Sequence, residues 1–293
     1  NFTIATSTGA SSIILEGETK VLTISHNAQN AIVTWFKNDV EIPNSNTNSL
    51  SVTEPGIYYA IVEKSLDGCS ETKAIDAISI NSVESFTATI TALQNYSECS
   101  SLQTQLTYNS IEVKGNNGSF YELTSGQIEL LEFEWYKDNN IITGATNSAI
   151  TISNYEENGS YFLRIRNGAI TSTSNTLNIK LGLPEITISS IDDTYALCLN
   201  KEVVLSTTQI NGLSYQWFFN DEEIVGETNS SLEVIEVGNY TVEATGFGCS
   251  RISDQIDIKS FDGNSIEFNF DDEITIQEGE SITISANGAD TYE

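Results

Sequence analysis

Cys69, Cys99, Cys198 and Cys249 are the side chains best suited to covalent chemistry in this sequence. None forms a Cys-x-x-Cys pair, so their spacing points to disulfides and away from zinc. His26 is the only histidine. It follows the alternating segment Val21–Ser25 and reads as a loop residue; one imidazole supports no histidine-based metal cluster. Asp192-Asp193, Asp221-Glu222-Glu223 and Asp271-Asp272-Glu273 could offer oxygen ligands to Ca²⁺. None has the Asp-x-Asp-x-Asp-Gly spacing of a dedicated loop, so they read as solvated turns. Paired carboxylates for glycoside hydrolysis need a cleft between them, and nothing in the pattern suggests one. Phosphate-binding Gly-rich loops and a Gly-x-Ser-x-Gly elbow are absent. The expectation is a chain with no catalytic site, no cofactor and no metal.

The charge balance restricts partners further. Against 41 acidic residues stand 12 basic ones, for a net charge of −29. From Pro184 onward the only cations are Lys201, Arg251 and Lys259. Such a surface repels phosphate backbones and anionic headgroups, which argues against nucleic acid and membrane-surface partners. No segment approaches the ~18 apolar residues of a spanning helix, so direct membrane insertion is not expected. The 12 Phe, 12 Tyr and 3 Trp supply apolar material that disordered chains lack. A length of 293 residues suits two to four domains.

The elements that would position these residues repeat along the chain. Three segments are superimposable: Trp35-Phe36-Lys37-Asn38-Asp39, Trp135-Tyr136-Lys137-Asp138-Asn139 and Trp217-Phe218-Phe219-Asn220-Asp221. Each is an alternating strand that runs into a polar turn, followed by Ile42, Ile142 or Ile224. Farther on comes a Gly-x-Tyr containing Tyr58, Tyr161 or Tyr240, at separations of 23, 26 and 23 residues from the tryptophan. Upstream, Glu16-Gly17-Glu18 and Glu278-Gly279-Glu280 precede apolar alternating segments, and Leu199-Asn200-Lys201 holds the same place between them. Asn200 and Gly279 are 79 residues apart, the length of a compact sandwich.

A central-strand Trp fills the space between two sheets, and a Tyr in Gly-x-Tyr matches the tyrosine corner of an immunoglobulin-type sandwich. Val242 stands where the usual second core cysteine would be, so apolar packing must replace that bond. No stretch has a convincing 3.6-residue apolar period. The fold expected is all-β: tandem immunoglobulin-like sandwiches in a linear array, at 1–83, 84–183 and 184–263, with a truncated fourth domain at 264–293. With no methionine and no leader, Asn1 reads as an internal start; Ala289–Glu293 aligns with the segment just before Trp217. The second domain is longer because of an insertion near 115–130, after a strand expected at Thr104–Ser110. Such insertions often carry function, the alternative being a plain extra hairpin.

The cysteines occupy two kinds of repeat position. Cys69 and Cys249 follow a Gly in the last hairpin of their domains, whereas Cys99 and Cys198 sit before the turn into the second strand. In an immunoglobulin-like sandwich these positions lie at opposite poles, too far apart for the roughly 4.4–6.8 Å Cα separation of a disulfide. That favours a bond between neighbouring domains, Cys99 with Cys249, leaving Cys69 and Cys198 to reach further neighbours. A within-domain Cys198–Cys249 bond and unpaired buried thiols stay open as alternatives. Either bond implies an oxidising compartment.

Glu-Gly-Glu before the second strand, Tyr215-Gln216-Trp217, Gly238 to Val242 and Gly248-Cys249-Ser250 together resemble a known repeat type. It is the immunoglobulin/PKD-like module of large Bacteroidota surface proteins, many exported by the type IX secretion system and some serving as gliding-motility adhesins. Ser101 and Asn200 depart from the pattern, and the second domain lacks Gly-Cys. The resemblance implies an extracellular or cell-surface location and a structural, adhesive stalk. Its partners would be neighbouring domains of one longer chain, with surface glycans or other cell-surface proteins at a binding tip. The competing reading is a carbohydrate- or protein-binding module, accessory to a secreted enzyme, that uses exposed aromatics or the insertion.

Overall fold

The computed structural model describes residues 2–66, 69–198, 201–261, 267–268, 275–283 and 285–287. The described residues are strands and turns apart from one α-turn and one 3-10 turn, and they build tandem immunoglobulin-like sandwiches. The chain divides into two units, Asn1–Gly182 and Leu183–Glu293.

The first unit begins with β1 (Ile4–Thr6), β2 (Ser11–Ile14), β3 (Lys20–His26), β4 (Ala31–Lys37), β5 (Val40–Glu41), β6 (Ser49–Val52), β7 (Gly56–Leu66), β8 (Cys69–Ala74) and the long β9 (Ile78–Ala92). β1, β3 and β6 form one sheet; β2, β9, β7, β4 and β5, with β8 on β7, form the facing one. β9 does not stop at the end of this sandwich. Its start pairs with β7, and from Val83 to Ala92 it pairs with β10 (Thr104–Gly115) of the next. The strand therefore crosses 83/84 without a linker, and β10 runs past the expected Ser110 after a bulge near Tyr108.

The second sandwich continues with β11 (Phe120–Glu122), α1 (Ser125–Ile128), β12 (Glu132–Lys137), β13 (Asn140–Ile141), β14 (Ala149–Ile152), β15 (Gly159–Asn167), β16 (Ile170–Thr173) and β17 (Leu177–Ile179). α1 is absent from the all-strand expectation. Its signal lies in Thr124 and Gln127, a capping box in which each side chain satisfies the other's backbone N–H.

The second unit holds β18 (Ile188–Ser190), β19 (Ala196–Leu197), β20 (Val203–Thr207), β21 (Ser214–Phe219), β22 (Glu222–Glu223), β23 (Ser231–Val234), β24 (Gly238–Gly246), β25 (Cys249–Ile252) and β26 (Ile256–Ser260). β18 is only three residues long, since laddering on β20 begins at Ile188. Pro184, just upstream, has no N–H to donate. Most of the expected fourth domain, including Asp271-Asp272-Glu273 and Ala289–Glu293, lies outside the described residues, as do Asp67, Gly68, Leu199 and Asn200. Within it Glu267–Phe268 pairs with Ala286–Asn287. The Glu280 N–H returns to the Gln277 carbonyl, as the Glu18 N–H does to Leu15.

Each sandwich repeats one set of bonds. The indole N–H of Trp35, Trp135 and Trp217 donates to the carbonyl of Thr47, Asn147 and Asn229, each at 2.9 Å. The hydroxyls of Tyr58, Tyr161 and Tyr240 donate to the carbonyls of Glu54, Glu157 and Glu236 at 2.8, 2.5 and 2.9 Å. Asn38-Asp39, Asp138-Asn139 and Asn220-Asp221 all have positive φ, the two-residue turn that suits the twist of a hairpin.

The register also equates Leu22, Leu106 and Leu205, which face Leu50, Ile150 and Leu232. These leucines, the three tryptophans and their cross-strand partners Ala60, Leu163 and Val242 are fully buried. Burying a Leu or Val contributes about 1.5–3 kcal/mol, and a disulfide typically about 2–4 kcal/mol. Apolar packing at these positions is therefore of the right size to stand in for a core disulfide.

Candidate functional site

The first unit is held together at the turn Leu15–Glu18. β2 lies parallel on β9, with Ile14 opposite Ser82, at the point where β9 leaves the first sandwich for the second. Alternation along the strand then sends Ile14 into the first core, and Ile13 and Leu15 into the second.

The insertion of the second sandwich closes over the same turn. Gln127, only 5% exposed, donates its side-chain amide to both oxygens of Glu18 at 3.1 and 3.0 Å. Glu18 also accepts from the Leu15 N–H at 2.9 Å and pairs with Lys20 at 2.8 Å. Burial pushes the Glu18 pKa up, but bonds from Lys20, Gln127 and Leu15 outweigh it and hold the carboxyl below its ordinary value. The Tyr121 hydroxyl accepts from Asn81 at 3.0 Å and Asn117 at 2.8 Å, and lies 2.8 Å from the Ser11 hydroxyl.

Asn167, at the end of β15, accepts from the Glu16 N–H and donates to the carbonyls of Glu16 and Leu130. A groove of about 310 Å³ remains, lined by Leu15, Thr53, Pro55, Val83, Asn167 and Ile170 among others. Tyr121 and Gln127 of the insertion thus serve a junction between sandwiches.

The cysteines differ in state. Cys99 and Cys249 are disulfide-bonded; Cys69 and Cys198 are free thiols. Cys99 occupies a turn at φ 57°, pinned by its N–H to the Lys180 carbonyl at 2.8 Å. Gly182 passes so close that a Cβ there would sit 2.7 Å from the Cys99 carbonyl oxygen. Cys249 opens β25 opposite Gly246. Cys69, exposed, opens β8; Cys198, half-buried, follows β19. Leu15, Cys99 and Cys198 each precede a core leucine (Leu22, Leu106, Leu205) by seven residues, so they are one position of the repeat.

His26 is the last residue of β3, opposite Ile4, not a loop residue, because pairing with β1 prolongs the ladder. Its Nε2 lies 3.0 Å from Asn48 Oδ1. Burial, then the carboxylates of Glu157 and Asp138, raises the Tyr161 pKa. Burial and Glu236 push Tyr240 to about 12. Both phenols therefore stay protonated donors. Among the described residues no cluster of three His, Cys, Asp or Glu could hold a metal, and no helix is long and apolar enough to cross a membrane.

No protein-family model matches the chain, and no curated protein matches it. Solved structures that align with it include the titin I-band fragment I67–I69, at 14% identity and TM-score 0.29, over 88% of this chain and 98% of that one. The four N-terminal immunoglobulin domains of Dscam1 align at 14% identity and TM-score 0.33, over 88% of this chain and 75% of that one. Murine CEACAM1b aligns at 16% identity and TM-score 0.29, over 59% and 99%. At such scores the sandwich assignment rests on the repeated Trp, Tyr and turn bonds, not on overall superposition.

Proposed function

We propose that this chain is a non-catalytic structural and adhesive stalk segment of a large exported cell-surface protein. Its sandwiches act as rigid spacers that project a binding tip or carry force. The observation that carries the reading is the junction at Leu15–Glu18, where a shared strand, a shared apolar core and a buried Gln127–Glu18 contact join two sandwiches without a linker. A chain whose domains must bear load gains from joints that cannot swing.

We infer that Cys99 and Cys249 are each other's partners and tie the second sandwich to the third. Support comes from their bonded state beside two free thiols, and from their placement at the two pole positions of the repeat. Disulfides persist in oxidising compartments, which fits an extracellular location. The sequence resemblance extends the proposal to the Bacteroidota surface modules exported by the type IX system, and to adhesins of the gliding-motility type. A carbohydrate-binding role for the insertion loses support because Tyr121 and Gln127 are engaged at the junction.

Non-reducing peptide mapping tests the cross-link. A Cys99–Cys249 peptide is expected, and a Cys198–Cys249 peptide would overturn it. A glycan array tests the stalk reading against a binding module: binding that disappears on deletion of residues 115–130 would favour the module.

A further inference from the structure

An asparagine followed by glycine is the step at which a polypeptide most readily loses side-chain ammonia, because glycine leaves its own N–H unshielded beside the amide carbon. Four such steps lie wholly within the described residues: Asn117-Gly118, Asn158-Gly159, Asn167-Gly168 and Asn211-Gly212. Three of them have the side-chain amide held at both ends. Asn117 donates to the Tyr121 hydroxyl at 2.8 Å and accepts from the Ser119 N–H at 3.0 Å. Asn158 donates to the Leu181 carbonyl at 3.1 Å and accepts from the Leu181 N–H at 2.7 Å. Asn167 donates to the carbonyls of Glu16 and Leu130, each at 3.1 Å, and accepts from the Glu16 N–H at 2.8 Å. Two of the following glycines are engaged as well. The Gly118 N–H donates to the Gly115 carbonyl at 2.8 Å, and Gly159 sits in the ladder opposite Ile179.

Asn211 is held at neither end. It and Gly212 are exposed, and among the described residues no hydrogen bond reaches the Asn211 amide or the Gly212 N–H. They are the two central residues of a turn closed by the Leu213 N–H on the Ile210 carbonyl at 3.3 Å. Gly212 has φ 84°, a conformation that glycine supplies without strain. Tyr215 pins the chain ahead of the turn: its hydroxyl accepts from the Ile210 N–H at 2.8 Å and donates to the Thr208 carbonyl at 2.9 Å. The Asn211–Gly212 peptide itself stays free to rotate until the Gly212 nitrogen faces the Asn211 Cγ. We propose that Asn211 is a site of spontaneous covalent modification in the folded chain. It converts through a succinimide to Asp and isoAsp, while the other three asparagines are protected by their bonds.

In the first step the Gly212 nitrogen attacks the Asn211 Cγ. A new C–N bond forms, the Cγ–Nδ2 bond breaks, and ammonia leaves with the proton that Gly212 loses. Water then opens the ring. Entry at Cγ gives Asp; entry at the former backbone carbonyl gives isoAsp, whose main chain runs through the side chain and is one atom longer. Nothing is oxidised or reduced, and water is the only co-reactant. Either product adds a carboxylate to a chain already at −29. IsoAsp has a second effect, because the turn is tightly packed. A Cβ on Gly212 would sit 2.8 Å from the Phe247 ring, and one on Gly246 would sit 2.6 Å from the Gly212 carbonyl oxygen. Gly246 lies opposite the disulfide-bonded Cys249. The longer main chain of isoAsp has no room there, so the hairpin that carries Cys249 must shift. This goes beyond the stalk reading and does not depend on which cysteine pairs with Cys249.

The experiment ages the whole chain at mildly alkaline pH, below its melting temperature, and follows its peptides by mass spectrometry with fragmentation that separates Asp from isoAsp. Asn211 should convert at least tenfold faster than Asn117, Asn158 or Asn167, giving both products. Asn287 stays out of the comparison, since Gly288 lies outside the described residues. In denaturant the four rates should converge, because only the shared Asn-Gly chemistry is left. Tyr121→Phe removes the acceptor of the Asn117 amide; it should speed conversion of Asn117 and leave Asn211 unchanged. Asn211→Gln, at an exposed position, should keep the parent's melting temperature and stop modification there. The aged isoAsp form should lose its Cys249 disulfide to dithiothreitol faster than Asn211→Gln aged alongside it. The proposal would be overturned by earlier conversion of any of the three bonded asparagines, by four equal rates in the folded chain, or by an Asn211 that stays intact while denatured chain converts. An unchanged Asn117 rate in Tyr121→Phe would overturn protection by tethering, and equal reduction rates would overturn the shift of the hairpin.

Discussion

Gln127 and Glu18 lie 109 residues apart in sequence, yet the amide of one sits 3.0 and 3.1 Å from the two carboxylate oxygens of the other. Gln127 also accepts from the Thr124 N–H, so the one-turn helix α1 exists to aim this amide. The carboxylate stays charged because three donors surround it, and the amide is almost wholly removed from water. Deleting Glu18 would leave the buried amide only its 3.5 Å contact to the Ile13 carbonyl, whereas deleting Gln127 would leave the carboxylate to Leu15 and Lys20.

Gln127→Ala should cost about 1.5–3 kcal/mol, the range for losing a hydrogen bond to a charged group. Calorimetry should show a lower melting temperature. Native-state hydrogen exchange should show the loss concentrated at the Leu15 and Glu18 amides. Loss spread evenly over the third sandwich would contradict the role assigned to Gln127.

Acid should loosen the same junction. Glu18 has a folded pKa below its unfolded one, so its contribution is complete above the unfolded value and is lost as pH falls through the folded value. Glu18→Gln should thus lower the melting temperature at neutral pH. The gap between variant and parent should narrow once the pH passes below the ordinary carboxylate range. A gap that is constant with pH would mean that the charge of Glu18 contributes nothing.

The repeat was legible because its residues obey local rules. Trp35, Trp135 and Trp217 sit at alternating positions, and the turns after them use Asn and Asp, which tolerate positive φ. The tyrosine corner needs only a Gly-x-Tyr. What stayed hidden was long-range. Nothing in Ile78–Ala92 marks a strand that serves two sandwiches, since each half has the alternation of an ordinary strand. The partner of Gln127 could not be read from Thr124–Gln127, although the capping box itself could. His26 reads as a loop residue in the sequence because its ladder partner Ile4 lies in a three-residue strand, too short to show a pattern.

The corner tyrosines should behave alike on mutation and differently in alkali. Tyr58→Phe, Tyr161→Phe and Tyr240→Phe each remove one buried hydroxyl–carbonyl bond, and each should cost about 0.5–1.5 kcal/mol in denaturant titrations. In alkali the raised folded pKa of Tyr240, about 12, means its stabilisation is complete below the unfolded value near 10 and is lost as pH rises toward 12. Tyr161, raised still further, should be the last to ionise. Ultraviolet titration of the three single variants would expose any other order.

Thiol labelling should rank the cysteines by exposure and state. A maleimide added to the native chain should modify Cys69 fastest, then the half-buried Cys198. It should reach Cys99 and Cys249 only after reduction. Labelling of Cys249 before any reductant is added would contradict the bonded state assigned to it.

Gly182→Ala tests how the turn that presents Cys99 is built. The new Cβ would fall 2.7 Å from the Cys99 carbonyl oxygen and 3.1 Å from its carbon, and these are backbone atoms that cannot rotate away. The Gly182 N–H is meanwhile tied to the Ser101 carbonyl at 2.9 Å, and the Cys99 N–H to Lys180, so the two segments are stitched on both sides of the clash. Overpacking of this kind costs about 1–3 kcal/mol. The strain must displace the turn that holds Cys99 at φ 57°. The variant should therefore melt earlier, and its Cys99 disulfide should be reduced faster by dithiothreitol than in the parent. Equal reduction rates with a lowered melting temperature would separate the strain from the cysteine and show that Gly182 serves the fold of the turn alone.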